Sequence, residues 1–314
     1  MSGWLPTAPC TPEACVPPPD PVVGLARRLL RTVVCAGVLV AGITLAPLVR
    51  SRSRRVARLL VRAWARLLVA SLGVRLRSTA LRTTALRSGG PALLVVNHVS
   101  WLDILLVAAV CPGRMLAKTE VRAWPAVGPL AAWGGTLFID RDRLRALPGT
   151  VDQVAAALRR GERVVVFPEG STWCGRGGGR FRPALFQAAI GAGAPVEPVA
   201  LRYRRTDGQP TSAPAFVGDD DLISSLRRVI AQRGLVAEVV LPPAIAPGAH
   251  PARRPLARAA QAGVDRHRFA GLDGCPNCRA TDRASTARPL PAALPLAAPA
   301  RAAWCAGPWG GRTG

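Results

Sequence analysis

Residues 92–110 read ALLVVNHVSWLDILLVAAV. The opening ALLVV is apolar without a polar break and too short for a helix, the pattern of a strand buried on both faces. Asn97-His98 ends it, and residues 102–110 are apolar over a length that fits a helix. The same alternation recurs down the chain. Residues 114–117 read as extended, GGTLFID (134–140) as a strand, and 150–160 as a helix ending at Gly161. RVVVF (163–167) reads as a strand stopped by Pro168, followed by a helix over 183–192. PVEPVALRY (195–203) reads as extended, 219–232 as a helix opening on Asp219, Asp220 and Asp221, and LVAEVVL (235–241) as a last strand. Strands and helices alternating in this way predict an α/β fold, a mostly parallel sheet flanked by helices. Such sheets place their sites just beyond the carboxyl ends of the strands.

On the N-terminal side the pattern changes. Residues 1–24 are rich in Pro, Thr and Ala without a period and predict a disordered leader. VVCAGVLVAGITLAPLV (33–49) is an uncharged run at the lower length limit for a membrane-spanning helix. It begins too far from the N-terminus to suit a signal peptide. VARLLVRAWARLLVASL (56–72) places Val56, Leu59, Leu60, Ala63, Leu67 and Leu68 on one helical face, with Arg58, Arg62 and Arg66 on another. Residues 25–78 are therefore expected to form membrane-associated helices, either spanning or lying at the interface. A hairpin buried within a soluble fold is the bland alternative. The α/β domain is expected over 79–245. Residues 246–314, rich in Pro, Ala and Arg, are expected to be a disordered tail.

The chain has 314 residues, 49% of them apolar, and a formal net charge of +24. That apolar content excludes wholesale disorder. The charge is uneven. Residues 1–91 carry 14 Arg against 2 acidic side chains, 92–241 carry 18 basic against 13 acidic, and 242–314 carry 10 against 3. Basic flanks around a nearly balanced middle, with only 5% aromatic residues, argue against nucleic acid and for an anionic membrane surface. The excess of Arg downstream of residues 33–49 predicts that the rest of the chain lies on the cytoplasmic face of the cell membrane. Eight scattered cysteines fit reduced thiols better than a disulfide framework. Cys275-Pro-Asn-Cys278 has the spacing of half a zinc site but lacks a second pair, and Cys111 and Cys174 read as packing residues.

Of three histidines, only His98 lies at a strand end. Asp103, five residues on, is close enough to orient one ring nitrogen and leave the other facing the cleft, as base and orienter do in a catalytic triad. Asp103 could equally serve only to cap the helix that follows. Phe167-Pro168-Glu169-Gly170-Ser171-Thr172 follows a second buried strand, with Gly170 allowing close backbone approach and two hydroxyls at a potential helix start. Arg176, Arg180 and Arg182 follow in a glycine-rich loop, and Arg141 lies at another strand end. Together these groups suit an anionic ligand.

The blocks NHVSWLDI (97–104), GTLFIDR (135–141), FPEGST (167–172) and APVEPVAL (194–201) resemble, in order and spacing, those of the glycerolipid acyltransferase family. The resemblance runs over roughly residues 60–245. It implies that His98 is the general base for a lysolipid hydroxyl and that Asp103 holds its tautomer. Arg141, Glu169 and Gly170 would bind the acceptor phosphate, with Ser171, Thr172, Arg176 and Arg180 nearby. The co-substrate would be acyl-CoA or acyl-carrier protein, with no cofactor and no metal. The implied reaction is acylation of 1-acyl-glycerol-3-phosphate to phosphatidic acid in phospholipid synthesis, with another lysolipid acceptor such as lyso-ornithine lipid as the alternative. The family's third block usually reads Glu-Gly-Thr-Arg, whereas Ser171-Thr172-Trp173 follow Gly170 here. A non-enzymatic basic membrane-binding protein would have little reason to retain His98, Asp103 and Glu169-Gly170 together.

Overall fold

In the computed structural model, residues 8–81, 90–123, 128, 131, 134–140 and 143–269 are described. Helix α1 is a single turn, Pro12–Cys15, capped by Thr11. The long helix α2 (Leu25–Arg50) and helix α3 (Arg54–Ser71) form a hairpin. Strands β1 (Arg75–Ala80) and β2 (Ala92–Val96) follow, then α4 (Leu102–Val110), β3 (Arg114–Lys118) and β4 (Leu137–Ile139). Helix α5 (Leu147–Arg159), strand β5 (Arg163–Val166), helix α6 (Phe186–Ala192) and strand β6 (Val196–Arg205) continue the alternation. The described chain ends with α7 (Leu222–Ala231), β7 (Leu235–Leu241) and α8 (Arg253–Arg268).

The seven strands form one sheet in the order β1-β7-β6-β2-β5-β3-β4, and every pairing is parallel except β6 with β7. Side chains of a strand alternate between faces, so ALLVV feeds two cores. Leu94 and Val96 join Val69, Leu72, Leu102, Leu106 and Val229 on one side. Leu93 and Val95 join Val154, Leu158, Phe186, Leu256, Ala260 and Val264 on the other. Burial on both faces is why the central strands read as unbroken apolar runs. Asp221 caps α7 by accepting from Ile223 N and Ser224 N, as the acidic run predicts.

Three boundaries differ from the sequence reading. The sheet begins at Arg75 and not beyond residue 79, because RLRSTA forms an edge strand on β7. That strand is almost wholly exposed, so it lacks the apolar run that marks a central one. Residues 8–24 are docked and not a disordered leader: Cys10, Cys15 and Val23 are buried, Val23 N donates to Ala231 O, and Arg233 N donates to Pro21 O. Within the supposed tail, α8 packs on β6 and α6 through Leu256, Ala257, Ala260 and Val264. The readings for residues 1–7 and 270–314, Cys275 and Cys278 among them, lie outside the described residues.

Helix α2 is long and apolar enough to cross a membrane, and no residue of its most apolar stretch is fully buried in the protein, which argues against a hairpin buried within a soluble fold. The helix holds to the domain at its base, where Arg31 Nη1 donates to Ile230 O (2.6 Å) and Gln232 O (3.0 Å) at the end of α7. Trp64 of α3 donates to Val38 O (2.9 Å), and only glycine at 42 leaves room for its indole. Two arginines of the α3 stripe reach across to α4, while Arg58 bonds to Arg54 O of its own helix. Arg62 and Arg66 donate to Val110 O and Ala109 O, satisfying carbonyls that the end of α4 leaves unpaired. Of the apolar stripe, Leu68 is buried against the domain, while Leu59 and Leu67 face outward, about three-fifths exposed at 62% and 61%.

Candidate active site

Strands β2, β5 and β6 are adjacent and parallel, so the loops leaving their carboxyl ends meet. Asn97 ties β2 to β6 in both directions, accepting from Leu201 N (2.7 Å) and donating to Leu201 O (2.9 Å). His98 follows at the mouth. Its Nδ1 lies 2.9 Å from Asp103 Oδ2. Val99 N (2.6 Å) and Ser100 N (2.8 Å) donate to the same oxygen, which fixes the turn between β2 and α4. Asp103 therefore orders the helix entry and orients the imidazole at once. Being an acceptor only, the carboxylate places the proton on Nδ1 and leaves Nε2 as the basic nitrogen. Among the described residues Nε2 has no hydrogen-bond partner. The ring stacks on Phe167 at 4.0 Å and retains 20% side-chain exposure.

Tyr203, the chain's one tyrosine, donates its hydroxyl to Asp103 Oδ1 at 2.5 Å from β6. Burial and the neighbouring Asp103 charge push the phenol well above its ordinary pKa, so it remains a donor. No local pattern signals this partner, because it stands 100 residues away.

The family resemblance has Glu169 help bind the acceptor phosphate; in the structure its carboxylate is engaged by groups of the protein itself. Its side chain is fully buried and both oxygens are occupied. Oε2 accepts from His98 N (2.7 Å), Oε1 accepts from Gly179 N (3.1 Å), and Arg268 of α8 pairs with Oε1. Burial pushes the Glu169 carboxyl above its ordinary pKa, against the Arg268 charge and the His98 N–H, which pull it down. Glu169 thus clamps the His98 backbone to the loop after β5. A second link, from Trp173 N to His98 O (2.8 Å), runs the same way. Gln261 of α8 accepts from Phe181 N (3.0 Å) and donates to Gly179 O (3.3 Å), holding the loop from behind.

Gly170 adopts a φ of +78°, the left-handed region where glycine is favoured. No helix begins at Ser171-Thr172, contrary to the sequence reading. Residues 167–185 run as an irregular loop and α6 starts at Phe186. Ser171 and Thr172 are half-buried on that loop, while Arg176, Arg180 and Arg182 are exposed. Arg176 borders a shallow cleft with Val99, Cys174, Arg202 and Tyr203, next to the His98–Asp103 pair. Arg141 lies outside the described residues. Among the described residues, Cys10, Cys15 and Cys174 are the one group of side chains converging as metal ligands could.

A histidine oriented by a buried carboxylate at the mouth of a parallel sheet, with no protein nucleophile bonded to it, is the arrangement for deprotonating an incoming hydroxyl. Residues 78–202 match the Acyltransferase family. The chain is 39% identical over 254 residues to "Lyso-ornithine lipid O-acyltransferase" of Pseudomonas aeruginosa, covering 76% of this chain and 92% of that protein. It is 41% identical over 147 residues to "1-acyl-sn-glycerol-3-phosphate acyltransferase" of Neisseria gonorrhoeae, covering 47% of this chain and 57% of that protein. The crystal structure of the 1-acyl-sn-glycerophosphate (LPA) acyltransferase PlsC from Thermotoga maritima shares the fold, with a TM-score of 0.60 and 18% identity over 78% of this chain and 96% of that one. The protein belongs to the Acyltransferase family and is an O-acyltransferase.

Proposed function

We propose that this enzyme transfers an acyl chain from a thioester, acyl-CoA or acyl-carrier protein, to the free hydroxyl of a lyso-ornithine lipid. The His98–Asp103 geometry carries the transfer. Nε2 takes the hydroxyl proton as the oxygen attacks the thioester carbonyl, and Asp103 stabilises the imidazolium that forms. Collapse of the tetrahedral intermediate expels the thiolate, which takes the proton back from Nε2. No acyl-enzyme forms.

The acceptor assignment rests on the loop after β5. Glu169 is spent on His98, Gly179 and Arg268, and no arginine follows Gly170 within the block. A phosphate-headed acceptor would draw on that guanidinium for bidentate binding. An ornithine head group carries an ammonium and a carboxylate instead, and makes a smaller demand on fixed positive charge. The lyso-ornithine lipid relative matches over nearly its whole length, which supports the same reading. The second reading, 1-acyl-glycerol-3-phosphate, draws on the exposed Arg176 and Arg180 and on the shorter, 41% identical match.

The exposed apolar side chains of α2 and α3 support an enzyme bound to a membrane, and the excess of arginine downstream of α2 favours an anionic surface with the catalytic domain on the cytoplasmic face. Purified enzyme in mixed micelles, offered each lysolipid with acyl-CoA or acyl-carrier protein, tests the assignment by thiol release. We expect kcat/KM for lyso-ornithine lipid to exceed that for lysophosphatidic acid by about tenfold or more, a difference of about 1.4 kcal/mol. Turnover with lysophosphatidic acid alone would replace the acceptor. No turnover with either lipid and either donor would overturn the catalytic reading.

A further inference from the structure

We infer that Cys10, Cys15 and Cys174 form a binding site for one thiophilic divalent ion of the zinc type, outside the acyl-transfer chemistry. The three Sγ atoms lie within 4.8 Å of one another, and all three residues are buried. They converge from opposite parts of the chain, two from the docked leader and one from the loop that carries Glu169. No disulfide joins the described cysteines. A disulfide between any two of these three would still leave a third thiol at the same point, whereas one ion takes all three.

The distances fit. Tetrahedral zinc with Zn–S bonds of about 2.3 Å separates its sulfurs by about 3.8 Å. Each pair then needs to close by no more than about 1 Å. Binding replaces three S–H bonds with three Zn–S bonds and releases three protons to solvent. With water as fourth ligand the site carries one net negative charge. Cys174 also lines the shallow cleft that holds Gly175, Arg176 and Arg202. That cleft gives the ion and its water a way in, and its guanidinium groups offset the residual charge.

Packing alone accounts for buried cysteines, but not for three sulfurs meeting at one point. Helix α1 has four residues and no core of its own, so an ion would tie the leader to the loop whose Trp173 amide holds the His98 carbonyl.

The test uses full-length protein carrying Cys275→Ser and Cys278→Ser, so that the other cysteine pair cannot contribute. Cadmium titration is followed by the thiolate-to-metal charge-transfer band in the ultraviolet. We expect saturation at one ion per chain with close to three protons released. Adding Cys174→Ser, or Cys10→Ser alone should the first variant fail to fold, is expected to weaken binding by about tenfold or more, the loss of one thiolate ligand. Absence of the band in the protein with Cys10, Cys15 and Cys174 intact would overturn the site. So would an unchanged titration in both further variants, or a Cys10–Cys15 disulfide in protein isolated under reducing conditions.

Discussion

Replacing Asp103 by asparagine separates the two tasks of this carboxylate. Oδ2 receives three donors, His98 Nδ1, Val99 N and Ser100 N, and Oδ1 receives the Tyr203 hydroxyl. Two fixed backbone N–H groups require an oxygen at the Oδ2 position, so an amide must present its carbonyl there and its NH2 to Tyr203. The tyrosine hydroxyl can turn and accept. The His98 Nδ1–H bond survives in that orientation, and the tautomer with it. What vanishes is the charge facing the imidazolium. At about 4 Å and an effective dielectric near 20, that charge is worth about 4 kcal/mol. At about 1.36 kcal/mol per decade this is nearly a factor of 10³ in rate. The partial exposure of His98 lowers the expectation to about 10²–10³-fold in kcat. Initial rates of thiol release at saturating lipid measure it, with thermal melting to confirm the fold. Turnover within about threefold of wild type would refute the use of this charge. A loss beyond about 10⁴-fold, the scale of a wrong tautomer, would refute the inferred amide orientation.

Removing Arg268 strands the buried Glu169 carboxylate, whose pair is only 4% and 0% exposed. Arg268→Met is expected to cost about 3–5 kcal/mol in denaturant unfolding, with Glu169→Gln added to it recovering part of the loss. A cost under about 1 kcal/mol would show that α8 does not hold the loop. Burial pushes the Glu162 carboxyl up, but the hydrogen bonds and charges of Arg114 and Arg160 together hold it below the ordinary glutamate value. A lowered folded pKa contributes stability above the unfolded value, and that contribution fades as pH falls through the folded value. The melting-temperature gap between wild type and Glu162→Gln is therefore expected to be full near neutral pH and to shrink in acid; a gap that widens in acid would contradict this sign. Leu59→Glu with Leu67→Glu puts two charges on the outward face of α3. Recovery with anionic vesicles is expected to fall at least about tenfold while the fold is retained, since each loses about 1.5–3 kcal/mol of apolar burial. Unchanged recovery would show that this face does not meet the bilayer.

The central strands were legible because burial on both faces of a parallel sheet forces unbroken apolar runs such as ALLVV and RVVVF. The pairing of His98 with Asp103 was legible because one turn joins a strand end to a helix start. Strand β1 was not legible: an exposed edge places no apolar demand on RLRSTA. Helix α8 was missed because its core contact is a narrow stripe, Leu256, Ala257, Ala260 and Val264, within an arginine-rich sequence. The leader looked unstructured because its order comes from contacts with the end of α7 and not from any local period.

Local order along the chain thus determined the alternating strands and helices, the apolar N-terminal run, and a histidine with the carboxylate that orients it. Tertiary structure alone decided that Tyr203 completes the Asp103 shell, that Glu169 pairs with Arg268, and that Arg62 and Arg66 of α3 meet the end of α4 while Leu59 and Leu67 face outward. A helix or strand follows from the spacing of neighbouring side chains, which any stretch of sequence displays. A buried charge, a cap or an outward face depends on which distant element arrives beside it, and that is fixed only when the whole sheet assembles.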